Sequence, residues 1–304
     1  MSPEPEKVAV DVEGRSLVLT NLAKVMYPET GFTKGHVIDY YLRIAPALLP
    51  HIAGRPLTLK RYPDGVTGPH FYAKHAPDHR PSWVRTERLY SPGSLSGQDW
   101  VRYVIAGDLP TLIWTANLAG LELHTPMWRL PHQGEPDLLV FDLDPGAPAT
   151  IVECCAVALL LRPLLEELGL EPFAKTSGGK GLQLLASLSG VTAGLSSDQA
   201  STLARELAEQ LGREHPGAII ANMKRALRPG KVLIDWSQNN AFKTTVAPYS
   251  LRARSKPTVS TPVTWDEVMS CERPADLVFT SDEVLERVAE HGDLLAPLTA
   301  AQPG

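Results

Sequence analysis

The feature that most narrows the folds open to this chain is the segment Asp137-Leu-Leu-Val-Phe-Asp-Leu-Asp-Pro-Gly146. Its apolar run, Leu138 to Phe141, reads as a buried strand that leaves the core on two carboxylates. Alternate residues of a strand share a face, so Asp142 and Asp144 point the same way, about 7 Å apart at Cα. Two carboxylates held like this repel each other unless a cation sits between them, and Mg²⁺ and Mn²⁺ take hard oxygen ligands of this kind. Pro145-Gly146 then ends the strand and opens the mouth of a cleft. A strand-end turn with two solvated aspartates is the plainer reading of the same residues. The pattern alone also occurs in phosphatases and sugar transferases.

Elsewhere the pattern mixes strands and helices. Residues 16–20, 55–61 and 70–74 read as short strands, and Thr33 caps a helix over 34–49 with Val37, Tyr40, Tyr41, Ile44 and Leu48 on one face. A loop-rich stretch over 75–98 leads into helical segments ending near Leu121. Three capping boxes, Thr150-x-x-Glu153, Ser196-x-x-Gln199 and Thr280-x-x-Glu283, open helices to about residues 168, 214 and 292. No regular βαβ alternation appears, so the expected class is α+β rather than a doubly wound sheet. No Pro/Gly/Ser linker divides the chain. The expectation is one domain over residues 1–304, with 1–8 and 293–304 frayed.

Composition excludes several classes. With 43% hydrophobic and 21% charged residues the chain is neither disordered nor, lacking an apolar run of 18 residues, membrane-spanning. The start, Met1 to Lys7, is acidic and unlike a secretory signal. Cys154, Cys155 and Cys271 are too few for a disulfide framework, and no CxxC occurs for zinc. They read as free thiols of a reducing cytoplasm. The formal charge is −5, yet residues 222–256 carry eight basic side chains and one acid, Asp235. That stretch is +7 and the remainder −12. A basic stripe on an acidic body suits a polyanion held at one place, although most basic runs are simply solvated loops.

Two further segments carry chemistry. In Thr176-Ser-Gly-Gly-Lys-Gly-Leu-Gln183 the glycines let backbone N–H groups turn toward a phosphate, with Ser177 and Lys180 adding a hydroxyl and a charge. The spacing is not that of a Walker A loop. A plain hairpin turn is the alternative. In Lys231-Val-Leu-Ile-Asp-Trp-Ser-Gln-Asn239 the strand formers Val232, Leu233 and Ile234 run into Asp235, a charge that needs a partner. Beside Asp142 and Asp144 it would complete a two-metal site able to bridge a triphosphate. Arg252 and Lys243 would then meet phosphates and Arg228 a nucleic-acid backbone.

These segments, with Lys-Thr-Thr-Val-Ala-Pro-Tyr-Ser-Leu-Arg-Ala-Arg254, Asn21-Leu-Ala-Lys-Val-Met-Tyr-Pro28 and Leu121-Glu-Leu-His-Thr-Pro-Met-Trp-Arg129, closely resemble the polymerase domain of bacterial ligase D. That domain belongs to the archaeo-eukaryotic primase superfamily, and the resemblance runs from about Leu17 to Leu295. It implies a primase-polymerase fold, with mixed or antiparallel sheets around a central catalytic cleft flanked by helices.

The resemblance also implies roles. Asp142, Asp144 and Asp235 would bind two Mn²⁺ or Mg²⁺ ions. Ser177, Lys180, Arg252 and Gln238 would hold the triphosphate, His124 the sugar, and Lys60 would lie near the same pocket. Phe71 and Tyr72 would stack on a base. Lys24 and Lys34 would receive the 5′-phosphate at the downstream edge of a gap, and Arg228 and Lys243 would meet DNA. Without the resemblance, His124 and the two aromatics read as core and the lysines as solvated surface. One position departs from the family: Gln183 stands where Lys-Gly-Leu-His is usual, and it can donate to a phosphate oxygen but carries no charge.

The implied activity is a metal-dependent nucleotidyltransferase that fills short gaps in end joining or excision repair. It would prefer ribonucleoside over deoxyribonucleoside triphosphates and recognise a downstream 5′-phosphate. No Lys-x-Asp-Gly ligase motif occurs, so the expectation is a stand-alone cytoplasmic polymerase served by a separate ligase and by an end-binding repair factor. The competing readings are a non-catalytic DNA-end or gap binding module, and a haloacid-dehalogenase-like phosphatase with Asp142 as nucleophile. The phosphatase motif wants Thr or Val where Gly146 stands.

Overall fold

Capping boxes are local signals, and the helices begin where they stand. In the computed structural model, which describes residues 7–93, 99–188 and 192–300, helices run over Lys34–Ile52, Ile151–Glu167, Ser197–Glu214 and Ser281–His291. Their caps are Thr33, Thr150, Ser196 and Thr280, each with a reciprocal bond from the third helical residue. The class is α+β, as expected.

The chain divides into two compact units. The first comprises Met1–Thr125, Tyr249–Thr258 and Thr280–Gly292. Its main sheet places strand Pro56–Arg61 between Gly120–Thr125 and Trp100–Ile105, with Thr86–Tyr90 outermost, and short Phe71–Ala73 also pairs with Pro56–Arg61. Here the expectation of helix up to Leu121 fails. Only Leu109–Asn117 is helical, and the residues on either side, with part of the stretch read as loop, are strands. Trp100–Ile105 and Gly120–Thr125 pair with Pro56–Arg61, tens of residues away, so local pattern does not announce them. Residues 94–98 of that loop lie outside the described residues.

The second unit comprises Pro126–Pro248, Val259–Phe279 and Asp293–Gly304. Its six strands run in the order Ile219–Ile220, Val232–Asp235, Leu138–Pro145, Leu182–Ser187, Pro172–Thr176, Pro262–Val263, antiparallel except for the first pair. The central strand Leu138–Pro145 is covered on both faces. Leu139, Phe141 and Leu143 join the core built with the helices Ile151–Glu167 and Ser197–Glu214. Leu138 and Val140 pack with Met127, Leu185, Leu295 and Leu298. Burial on both sides is why the run reads as continuously apolar.

The frayed-end expectation is therefore corrected in part. Leu295 and Leu298 are buried, which fastens the segment after residue 293 to the sheet, and Lys7–Val12 is a strand paired with Arg15–Thr20. Residues 1–6 and 301–304 lie outside the described residues. All three cysteines are free and buried. Among the described residues no helix is long and apolar enough to cross a membrane.

Candidate active site

In the second unit, strand register draws a polar row across four strands. Lys175 pairs with Gln183, Gln183 with Asp142, and Asp142 with Asp235. Directly opposed residues share a face, so these four side chains rise from one side of the sheet, and Asp144 joins them two residues along the strand. The expected proximity of the three aspartates thus follows from pairing, not from chain distance.

Asp142 and Asp235 are steered by neighbouring donors. Gln183 Nε2 donates to Asp142 Oδ1 at 3.0 Å. The Ser237 amide and hydroxyl donate to Asp235 Oδ1 at 2.9 and 2.5 Å, and Gln238 Nε2 donates to Asp235 Oδ2 at 3.0 Å. Burial, then repulsion from Asp144, raises the Asp142 pKa to about 7, with Asp235 adding to the rise and Gln183 and Lys175 opposing it. Among the described residues no three His, Cys, Asp or Glu side chains close on one metal-ligating point. The three aspartates share a face, and the donors on Asp142 and Asp235 leave carboxylate lone pairs open to a cation.

Two of the expected phosphate ligands already have protein partners. Gln183 is buried, and its amide bridges Lys175 Nζ (2.5 Å to Oε1) and Asp142, which commits its oxygen and one of its two N–H donors to the carboxylate row. Gln238 donates to Asp235 in the same way. Lys243 donates to the Ser237 hydroxyl. Sequence reasoning missed Lys175, which is fully buried and also donates to the Val246 carbonyl and to Ser260 Oγ. A lysine inside the short strand Pro172–Thr176 was the available signal.

The glycine-rich turn between Pro172–Thr176 and Leu182–Ser187 is organised by Ser177. Its Oγ accepts from the Gly179 and Gly181 amides at 3.3 and 3.2 Å. A Cβ at Gly181 would collide with the Leu143 carbonyl, and one at Gly146 with the Arg228 carbonyl. Both close approaches need glycine. Lys180 stands exposed on this turn. Arg228 donates Nη2 to the Met223 carbonyl at 2.8 Å, and its Nε is buried without a hydrogen-bond partner.

In the first unit a second face gathers cations. Thr58 pairs with His124, Lys60 with both Glu122 and Tyr72, so all five rise from one side of the sheet. Glu122 is buried at their centre. Its Oε2 meets His124 Nε2 at 3.0 Å, while its Oε1 takes the Ala253 amide at 3.1 Å and lies 3.4 Å from Arg252 Nε and 3.9 Å from Lys60 Nζ. Burial alone would raise this carboxyl. The His124 hydrogen bond and the Arg252 charge outweigh it and hold the pKa at about 2. His124 moves down from its ordinary value, first through burial, with Glu122 opposing and Arg252 and Lys60 assisting. Sequence reasoning missed Glu122, whose signal was a carboxylate inside the strand Gly120–Thr125, every residue of which is buried.

The aromatic pair divides. Tyr72 shares the Lys60 face, with its ring 5.9 Å from that of His124, whereas Phe71 lies on the opposite side beneath the Arg61 guanidinium at 5.2 Å. Both are about half exposed, at 47% for Phe71 and 54% for Tyr72, which removes the core reading. Lys34 is buried, donating to the Thr20 carbonyl and hydroxyl at 2.7 and 3.1 Å. Burial, then the charges of Lys24 and Arg61, lower its pKa to about 8. Lys24 and Arg61 therefore lie close to Lys34, with Asp64 paired to Lys24 at 2.9 Å. Arg61 is an addition to the expected pair.

Comparison with known proteins identifies the family. Residues 33–295 match the family described as LigD, primase-polymerase domain. The chain is 48% identical over 288 residues to the multifunctional non-homologous end joining protein LigD of Mycolicibacterium smegmatis, covering 94% of this chain and 36% of that protein. It is 30% identical over 276 residues to the bifunctional LigD of Bacillus subtilis, covering 91% of this chain and 43% of that one. It therefore spans well under half the length of either relative. A solved structure, the polymerase domain from Mycobacterium tuberculosis ligase D in complex with DNA, superposes with a TM-score of 0.87 at 41% identity, over 94% of this chain and 99% of that one. The chain belongs to the LigD primase-polymerase domain family, and with it to the DNA-directed nucleotidyltransferases.

Proposed function

We propose that this chain extends the 3′ end of a primer strand across short gaps in DNA during break or excision repair. The observation that carries the reading is the pairing of Asp142 with Asp235 in register beside Asp144. The donor set is all carboxylate oxygen, which fits hard divalent cations, and the lifted Asp142 pKa marks a place where positive charge is wanted. Bound Mn²⁺ or Mg²⁺ at these three residues would draw charge off the triphosphate and lower the pKa of the attacking hydroxyl. Gln183, Ser237 and Gln238 hold two of the carboxylates in orientation before substrate arrives.

In the reaction the primer 3′-oxygen bonds the α-phosphorus of a nucleoside triphosphate while the bond from that phosphorus to the pyrophosphate oxygen breaks. On the glycine-rich turn Ser177 offers a hydroxyl donor and Lys180 a positive charge to the triphosphate; Arg252 is assigned a second positive charge for it, and Lys60 a place near the nucleotide. Tyr72 supplies a stacking surface for a base. His124 takes the sugar, and the preference for ribonucleotides is assigned to it. Lys24, Lys34 and Arg61 receive the downstream 5′-phosphate, and Arg228 and Lys243 meet the DNA backbone. A ligase activity then seals the product.

Extension on a gapped duplex tests this, with 5′-phosphate against 5′-hydroxyl downstream ends, ribonucleotides against deoxyribonucleotides, and Mn²⁺, Mg²⁺ or EDTA. The expected result is metal-dependent filling favoured by the phosphate and by ribonucleotides. Tight gap binding with no incorporation under any metal would instead identify a binding module.

A further inference from the structure

We propose that Glu122 is a positioning residue for the sugar of the incoming nucleotide, setting which nitrogen of His124 faces it as an acceptor. This rests on the nucleotide-binding role given above to His124, Lys60 and Arg252. The argument comes from how the two carboxylate oxygens divide their partners. Oε1 faces only donors or cations: the Ala253 amide at 3.1 Å, Arg252 Nε at 3.4 Å and Lys60 Nζ at 3.9 Å. Oε2 faces His124 Nε2 at 3.0 Å.

An ionised carboxylate has no hydrogen to give, so the shared proton belongs to His124 Nε2. Burial and the nearby Arg252 and Lys60 charges hold the ring toward neutrality. A neutral imidazole with hydrogen on Nε2 leaves a lone pair on Nδ1. That nitrogen accepts from a hydroxyl and has nothing to offer a C–H. A ribose 2′-hydroxyl can donate to it and a deoxyribose carbon cannot, so the tautomer is a device for sugar choice. Thr58, paired opposite His124 in the sheet, is buried with its hydroxyl unpartnered and so leaves the ring's tautomer to Glu122.

The same geometry predicts what Glu122→Gln does. The amide oxygen must turn to the three partners of Oε1, because an NH₂ there would face an N–H and two cations. The NH₂ then points at His124 Nε2, which has to accept, and the ring proton moves to Nδ1. A neutral, isosteric change thus inverts the tautomer instead of merely weakening a contact. Glu122→Asp keeps the charge and the wild-type tautomer.

Long-range ¹H–¹⁵N correlations of the labelled protein near neutral pH read this directly. The His124 signals are assigned by comparison with His124→Asn. The wild type and E122D should show hydrogen on Nε2, and E122Q hydrogen on Nδ1. Steady-state extension of a gapped duplex with ATP and with dATP is the second measurement. E122Q should raise KM for ATP about tenfold, change kcat little, and shrink the preference for ATP over dATP about fivefold, with E122D in between. Hydrogen on Nδ1 in the wild type, or E122Q losing both nucleotides equally, would overturn the inference. Wild-type protein that incorporates neither nucleotide would overturn the polymerase reading beneath it, whereas incorporation with unaltered sugar choice in E122Q overturns the inference alone.

Discussion

Asp142 and Glu122 are both carboxylates set in antiparallel sheets and largely withdrawn from water, and their environments push them in opposite directions. Asp142 stands among carboxylates, with the Lys175 charge and the Gln183 amide opposing them, and is lifted to about 7. Glu122 stands among His124, Lys60, Arg252 and a backbone amide, and is held at about 2. Burial acts the same way on both, so neighbours decide the sign. The Asp142 row is therefore short of positive charge as folded, which supports the proposed cation site. The Glu122 cluster sets one carboxylate against two cations and so keeps a net positive charge, which supports the proposed phosphate-binding role of Lys60 and Arg252.

The contrast breaks first at the acidic row. Asp142→Ala or Asp235→Ala should lower gap-filling extension on the order of a thousandfold or more, while affinity for gapped DNA changes little. Primer-extension gels and fluorescence anisotropy on the same variants check both halves. Extension persisting near wild-type rates would remove the metal-site assignment.

Glu122→Ala is expected to act on stability. It leaves Lys60, Arg252 and the Ala253 amide without their shared acceptor, at a cost of about 3 kcal/mol in urea denaturation. Asp142→Ala should instead cost little or stabilise the metal-free protein, because it relieves repulsion. If both variants destabilise equally, the contrast between the two carboxylates is false.

Their pH signatures have opposite signs. The native Asp142 carboxyl keeps its proton to about 7, while the unfolded chain has lost it near 4, so its contribution is present at low pH and is lost as pH rises across that window. The native Glu122 carboxyl is ionised down to about 2, so its contribution is present above the ordinary glutamate range and is lost as pH falls toward 2. Denaturation of metal-free protein at a series of pH values should show Asp142→Asn flattening the first slope and Glu122→Gln the second.

The smallest effect belongs to Lys24. It is exposed and already paired with Asp64, so Lys24→Ala should reduce the preference for a 5′-phosphate end only about threefold, and less in high salt. Lys34→Ala should cost more, since its buried ammonium loses charge–charge competition from Lys24 and Arg61 only by meeting an anion. Competition binding between phosphorylated and unphosphorylated gaps ranks the two.

What the sequence determined by itself was whatever depends on residues close in the chain. The caps at Thr33, Thr150, Ser196 and Thr280 mark helix starts because a cap bonds within one turn. Asp142 and Asp144 share a face because the strand period is two. Family motifs are likewise contiguous strings, which is why most of the candidate residues were legible before any fold was known. The tertiary structure alone decided which strings meet. It set Asp235 against Asp142, tied the Gln183 amide to the Asp142 carboxylate, buried Lys175, and parted Phe71 from Tyr72. It also placed Arg252 beside a glutamate 130 positions earlier. Those outcomes depend on the register of strands distant in sequence, and a shift of one residue would send every side chain to the other face. Burial then converts proximity into charge state, and neither quantity is written in a local pattern of residues.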